Sequence, residues 1–314
     1  RLMRLLRIGH RYDLVVVVGD VIPVMAAWLC RRPVATYLVA YSSHYEGRLR
    51  LPWPCASCLK SRRFRAVFSR DQCTADDLSD QLRRVVHFLG NPFMDPVLAD
   101  TRRLPAARRR IGLLPGSRRP ELEQNLHLLL QMIEHLPKEL FRGGALELDL
   151  ALVATLDDPS LLALVQPWGW DLSDAVDGSG LQLQRGHCSI HVRRGRFAAV
   201  LHSSDLLVCM AGTAAEQAVG LARPVLQLAG QGPQFTAGFA EAQRRLLGPT
   251  VFCAPGEPGK TATLEASAKL AIDLLERSRL DQDLQRQCQQ QALQRLGSAG
   301  GGARMAQAIS DLVQ

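Results

Sequence analysis

Cys209-Met210-Ala211-Gly212-Thr213-Ala214-Ala215-Glu216 follows the apolar run Leu206-Leu207-Val208 and precedes Val225-Leu226. The order reads as strand, Gly turn, helix start, strand. A Gly-Thr turn at a helix N-terminus leaves backbone N–H groups without intrahelical partners, and such groups attract phosphate. Glu216 falls one turn into the helix. A carboxylate there repels phosphate but accepts hydrogen bonds from a diol. The pattern suits a nucleoside diphosphate whose ribose hydroxyls need an acceptor. It also suits an ordinary helix whose first-turn Glu complements the dipole, and the local residues do not separate the two.

Two further sets can do chemistry. Pro115-Gly116-Ser117-Arg118 follows the apolar Ile111–Leu114 and precedes a helical pattern from Glu121 to Leu136. Loops at the carboxyl edge of a parallel sheet are where α/β proteins bind ligands. Gly116 permits close backbone approach, and Ser117 and Arg118 can donate to phosphate; an N-cap Ser beside solvated arginines reads equally well. Asp20 ends the run Asp13–Val18, where a carboxylate can serve as a general base or as the cap of the next helix. No Walker loop, GxGxxG, HExxH or GxSxG is present. Cys55-Ala56-Ser57-Cys58 is a lone CxxC without partners at zinc spacing.

These residues need a scaffold, and the pattern supplies an α/β one. Strands are expected at Asp13–Val18, covered on both faces, and at Pro33–Val39, Ala66–Ser69 and Val85–Leu89. Helices are expected at Val21–Cys30 and Thr74–Leu82. Gly90–Pro105 reads as irregular. The alternation restarts at Ile111 with strands at Leu146–Ala154, Ser189–Val192 and Leu206–Val208, and helices at Asp157–Trp168 and Phe197–Ser203. Ala262–Leu296 reads as mainly helical, Gly297–Gly302 as a flexible break, and Arg304–Val313 as a last helix. Strands alternating with helices imply parallel winding.

The chain has 314 residues, 47% of them apolar, and a formal net charge of +8. That length allows two α/β domains. Positive charge suits an anionic membrane, a polyanionic small substrate or nucleic acid. Aromatics are only 5%, and Phe64, beside Arg62-Arg63, is the one that adjoins an Arg pair, so base stacking is poorly supported and no nucleic acid partner is expected. No apolar run approaches the ~20 residues of a membrane span.

Taken in order, Ile111-Gly112-Leu113-Leu114-Pro115-Gly116-Ser117-Arg118-Arg119 and Met210–Glu216 resemble the two signature loops of lipid-A-disaccharide synthase. Asp13–Pro23 resembles that family's strand ending in a catalytic Asp, at Asp20. Ser69-Arg70-Asp71 and Gly90-Asn91-Pro92 to Asp95 resemble the segments leading into its linker. Gly232-Pro233-Gln234-Phe235 lies where related enzymes place Gln residues that touch the donor sugar. The resemblance covers most of the chain at low identity. It implies an α/β, GT-B fold: two Rossmann-like domains with parallel sheets facing a cleft, the N-terminal one lacking its opening strand-turn-helix here. The implied division is an acceptor-side domain over 1–95, a linker over 96–108, a UDP-sugar-binding domain over 109–296, and a terminal helix over 297–314 packing back on the first domain.

The activity so implied is transfer of a sugar from a UDP-sugar, resembling UDP-2,3-diacylglucosamine, to a lipid-linked sugar acceptor. Asp20 would deprotonate the acceptor. Gly116, Ser117, Arg118, Gly212, Thr213, Glu216 and Gln234 would hold the nucleotide sugar. No cofactor or metal is needed, because arginine and helix dipoles can take that role. The expected setting is cytoplasmic, peripheral to the inner face of an anionic membrane. This chain departs from the family on the acceptor side: Val21-Ile22-Pro23 follows Asp20, and Ala40–Tyr45 replaces a Trp-containing loop. One alternative is a UDP-sugar 2-epimerase of the same fold, for which His187, His191 and His202 are the unplaced groups. Another is a non-catalytic peripheral membrane or scaffold protein.

Overall fold

The computed structural model describes residues 7–175, 178, 180–230 and 237–313. The chain divides into two compact units, Arg1–Asp95 with Leu293–Gln314, and Pro96–Ala292.

The first unit holds a parallel sheet in the order β1 (Val15–Val18), β2 (Val34–Tyr37), β3 (Phe64–Phe68). Helices α1 (Val21–Leu29), α2 (Trp53–Lys60) and α3 (Gln72–Leu82) contribute to a core with Val17, Val34, Leu59, Val67 and Leu78. Val85–Leu89 does not form a full strand; it adds a single parallel bridge, His87 to Phe68. β1 is an edge strand, with Val16 50% and Val18 68% exposed. Its four valines are therefore not covered on both faces as the sequence predicts.

In the second unit the main helices are α4 (Glu121–Glu134), α5 (Asp158–Val165), α6 (Phe197–Ser203), α7 (Gly212–Gly220), α8 (Ala237–Leu247) and α9 (Thr261–Leu280). α10 (Gln282–Arg295) leads back to the first unit, where α11 (Gly301–Ser310) packs Met305 against Ala35, Tyr37, Ala66 and Phe68. The Gly-rich tract before it is a close-packed joint. A Cβ on Gly301 would lie 2.4 Å from the Gly90 carbonyl oxygen, and one on Gly297 would lie 2.6 Å from Phe88. Asp95 seals the joint by accepting from the N–H groups of Gly300 and Gly302, at 2.9 and 2.7 Å.

The second sheet runs β11 (Val251–Cys253), β10 (Val225–Gln227), β9 (Leu206–Cys209), β4 (Arg110–Leu114), β5 (Glu147–Leu152), β8 (Cys188–Arg194), β7 (Leu181–Arg185), β6 (Asp171–Asp174). The strands from β11 to β8 are parallel, and β7 and β6 fold on as antiparallel hairpins. β6 and β7 thus lie between the helix expected to end at Trp168 and the strand expected from Ser189, where the sequence reading places no strand. α4 buries Leu122, Leu126, Leu129, Leu130 and Ile133 against β4, β5 and β9 residues. Each such burial contributes about 1.5–3 kcal/mol.

Candidate functional site

β4 enters the middle of the second sheet. The chain then passes to β5, on to β6 at the sheet edge and back through β7 to β8, and β9 crosses to the other side of β4. The strand order therefore reverses between β4 and β9. In open α/β sheets, ligands bind at such a switch point, outside the carboxyl ends of the strands.

A pocket of about 630 Å³ lies there. Pro115, Gly116, Ser117 and Arg118 after β4 form one wall, and Met210–Ala214 after β9 form another. The end of β5, Gly195, Phe197, Gln217 and Phe239 complete it. The two signature loops thus meet in one pocket. Ser117 and Arg118 are exposed, and Arg118 has no ion-pair partner among the described residues. Gly116 has φ +99, a conformation L side chains rarely adopt.

α7 begins at this pocket. Its cap, Ala211, is extended and supplies no side-chain hydrogen bond. The first-turn N–H groups of Gly212, Thr213 and Ala214 are thus left uncapped at the wall, the backbone arrangement that receives phosphate oxygens. Gly212 is the first helical residue, without the positive φ of a tight turn. A Cβ on it would meet Gln243 at 3.6 Å, an ordinary contact.

Glu216 is half-buried beside Gln217 and does not line the pocket. Glu121, in the first turn of α4, does line it. Gln234 lies outside the described residues. Asn125 is the residue the sequence reading misses. It is buried among α4 leucines, and its Nδ2 donates to the carbonyls of Pro115 at 2.9 Å and Met210 at 3.1 Å. A lone amide on an otherwise apolar helical face is the signal that marks it.

The unplaced histidines stay outside the pocket. His191 Nε2 pairs with Glu147 at 2.9 Å, His202 Nε2 with the Val97 carbonyl at 2.9 Å, and His187 sets its edge against Phe141.

Asp20 belongs to the first unit. It occupies the cap position of α1, yet its side chain makes no capping bond. The carboxylate instead accepts from the N–H groups of Val39 at 3.1 Å and Ala40 at 3.2 Å. It therefore orders the loop after β2. That loop leads to Ser42, whose hydroxyl donates to buried Asp71 at 2.8 Å, and to His44, whose Nε2 is 3.9 Å from Asp71. Burial, with Arg295 and Arg70 adding to it against Asp71, holds the His44 pKa below its ordinary value. The CxxC cysteines are buried free thiols in α2, and burial pushes Cys55 up to about 11. No described helix is long and apolar enough to cross a membrane.

No family model and no curated protein matches the chain. Solved structures do. The chain is similar to UDP-GlcNAc 2-epimerase from Methanocaldococcus jannaschii, at 12% identity and TM-score 0.56, over 99% of this chain and 80% of that one. It is similar to the Neisseria meningitidis UDP-GlcNAc 2-epimerase bound to UDP-GlcNAc, at 14% and 0.53, over 99% and 79%. The spinosyn rhamnosyltransferase SpnG, complexed with thymidine diphosphate, matches at 16% and 0.51, over 98% and 76%. Identities this low speak for architecture and leave membership of the lipid-A-disaccharide synthase family without support; the chain has an α/β, GT-B fold.

Proposed function

We propose that this protein is an enzyme acting on a UDP-sugar, with the nucleotide in the second-unit pocket. The observation that carries this reading is the meeting of the Pro115–Arg118 loop and the uncapped start of α7 at the strand-order switch. Backbone N–H groups of Gly212 and Thr213 receive the diphosphate. Ser117 and Arg118 stabilise negative charge on the departing UDP, an electrostatic contribution that is usually the largest in such reactions. The resemblance gives the ribose to Glu216, which stands outside the pocket lining, and the donor sugar to Gln234.

In the transfer reading, the bond from sugar C1 to the UDP oxygen breaks and its electrons leave with UDP. The acceptor hydroxyl oxygen of a lipid-linked sugar bonds to C1, and its proton passes to a general base, the role that the resemblance gives Asp20. Two signature-loop resemblances support this reading. The second reading is 2-epimerisation of the UDP-sugar, supported by the epimerases among the structural neighbours. Inverting C2 exchanges its hydrogen with solvent, whereas transfer leaves it in place.

One experiment separates the cases. The protein is incubated with UDP-GlcNAc in D2O, with and without a lipid-sugar acceptor, and followed by NMR. Deuterium at C2 marks epimerisation; UDP release that requires the acceptor marks transfer. Calorimetry with UDP and ADP tests the shared premise, and absence of UDP binding removes both readings. Arg118→Ala should weaken UDP by about 1.5–3 kcal/mol, and unchanged affinity in Glu216→Gln would remove Glu216 from the site.

A further inference from the structure

A separate hollow, of about 310 Å³, lies in the second unit, and its lining includes Asp205, Arg223, Pro224, Leu284, Cys288 and Gln289. Asp205 and Pro224 directly precede β9 and β10, so the hollow opens at the amino edge of the sheet. The candidate nucleotide pocket lies at the carboxyl edge. α10 supplies Leu284, Cys288 and Gln289. The turn that carries Arg223 is held in place, because the N–H groups of Leu221, Ala222 and Arg223 donate back to carbonyls of α7.

The Arg223 guanidinium is half-buried. Its Nη2 donates to the His202 carbonyl at 2.8 Å, whereas its Nε is buried with no hydrogen-bond partner. Arg223 has no ion-pair partner among the described residues. Asp205 is the acid whose charge bears on it, but that carboxylate is already engaged. It accepts from Nε and Nη2 of Arg279 at 2.9 and 3.0 Å and from the Arg110 N–H at 2.9 Å. Burial, opposed by Asp205, holds the Arg223 pKa below its ordinary value, yet a guanidinium stays charged. A cation drawn out of water calls for an anion against it.

We propose that this hollow binds the carboxylate of a small organic acid, with the acid group on Arg223 and an apolar body against Leu221, Pro224 and Leu284. A guanidinium presents a planar fork that fits a carboxylate. Phosphate is the poorer fit, because its further oxygens need further donors. Backbone N–H groups around the hollow are taken: those of the Arg223 turn go to α7, and those of Asp283 and Leu284 go to the Asp281 side chain at 2.9 and 3.0 Å. Asp205 also repels a dianion more than a monoanion. The buried Cys288 thiol adds a neutral apolar contact, since burial pushes it up to about 11. The proposal is independent of the nucleotide reading.

The test is calorimetry and saturation-transfer NMR with sodium butyrate, which joins a carboxylate to a short apolar body. Butyramide, of the same shape without the charge, and inorganic phosphate are run alongside at equal ionic strength. Butyrate is expected to bind saturably, and the other two at least about tenfold more weakly. Arg223→Gln should weaken butyrate by about tenfold or more. Gln289→Trp, an exposed position on the lining, leaves Arg223 intact, fills the hollow and should weaken butyrate as much. Arg286→Gln, on the same helix but outside the lining, should stay within about twofold of the parent. Circular dichroism confirms that each variant is folded before binding is read, and Gln289→Trp keeps the test decisive if Arg223→Gln is not. Absence of saturable butyrate binding, equal binding of butyramide, tighter binding of phosphate, unchanged affinity in a folded Arg223→Gln or Gln289→Trp, or an equal loss in Arg286→Gln would each overturn the proposal.

Discussion

Asn125 and Met210 stand 85 residues apart in sequence, and the Asn125 amide donates to the Met210 carbonyl at 3.1 Å. Its other bond goes to Pro115, so one side chain ties both pocket loops to α4. Asn125→Ala leaves two carbonyls without their donor. The expected loss is about 1–3 kcal/mol of folding stability, with weaker UDP binding because the loops lose their shared anchor. Urea denaturation and calorimetry check the two effects; unchanged affinity in a destabilised variant would confine Asn125 to a structural role.

The two glycines of the pocket should respond differently to the same substitution. Gly116→Ala forces a Cβ onto a backbone with φ +99, 3.4 Å from the Ala211 Cβ. Left-handed backbone costs an L residue about 1–2 kcal/mol. Gly212→Ala adds a methyl group in open contact at a helix start and should leave the melting temperature unchanged or slightly higher. Equal destabilisation of both would contradict this account.

Local pattern and long-range pairing divide what could be read from the residues. α4 was legible because Leu122, Leu126, Leu129 and Ile133 recur at helical spacing and all are buried. The Pro115–Arg118 and Met210–Thr213 loops were legible because each follows an apolar strand. β7 left a signal in the alternation Leu181-Gln182-Leu183-Gln184; β6, bracketed by Asp171 and Asp174, left almost none. The exposure of Val16 and Val18 depends on β1 lying at a sheet edge, which no local pattern encodes. Gly297 and Gly301 read as flexible, and only the approach of Gly90 shows why they are small.

Arg110 and Arg193 illustrate the same limit: Arg110 ends the triplet Arg108-Arg109-Arg110, Arg193 opens the pair Arg193-Arg194, and neither cluster signals burial. Both are buried in the sheet around Asp149, at 3.1 and 2.5 Å. Asp149→Asn removes the carboxylate that pairs with both guanidiniums. Breaking a buried pair on one side typically costs about 3–5 kcal/mol. A denaturation midpoint within error of the parent would show that the arginines find water or another partner.

His44 gives a pH dependence with a defined sign. Its Nε2 is buried without a hydrogen-bond partner among the described residues, and burial first, then Arg295 and Arg70, depress its pKa in the folded protein. The unfolded chain regains the ordinary value of about 6.5. As pH falls, the unfolded state therefore binds the proton first. The stabilisation is present above about pH 6.5 and is lost below it, toward the folded value. His127, also depressed by burial, adds to the slope. Denaturation at pH 7.5 and 5.5 should show a smaller acid loss in His44→Gln than in the parent; equal losses would exclude His44 as a source.

Asp20→Asn separates catalysis from loop support at one position. The present carboxylate accepts from Val39 and Ala40, with Oδ1 reaching both N–H groups and Oδ2 reaching Ala40. An amide keeps one acceptor oxygen, so Oδ1 can still hold the loop. It cannot take a proton from an acceptor hydroxyl. If Asp20 is the base of a transfer reaction, the rate should fall by about 10²–10⁴, while UDP binding, proposed for the second-unit pocket, stays within twofold. Loss through loop disorder would look different: Asp20→Ala would then be far less stable than Asp20→Asn, and both would lose activity in proportion to stability. The assay follows UDP release with a lipid-sugar acceptor alongside thermal melts of both variants. Near-parental turnover in a folded Asp20→Asn protein would leave Asp20 as the anchor of the 39–40 loop and nothing more.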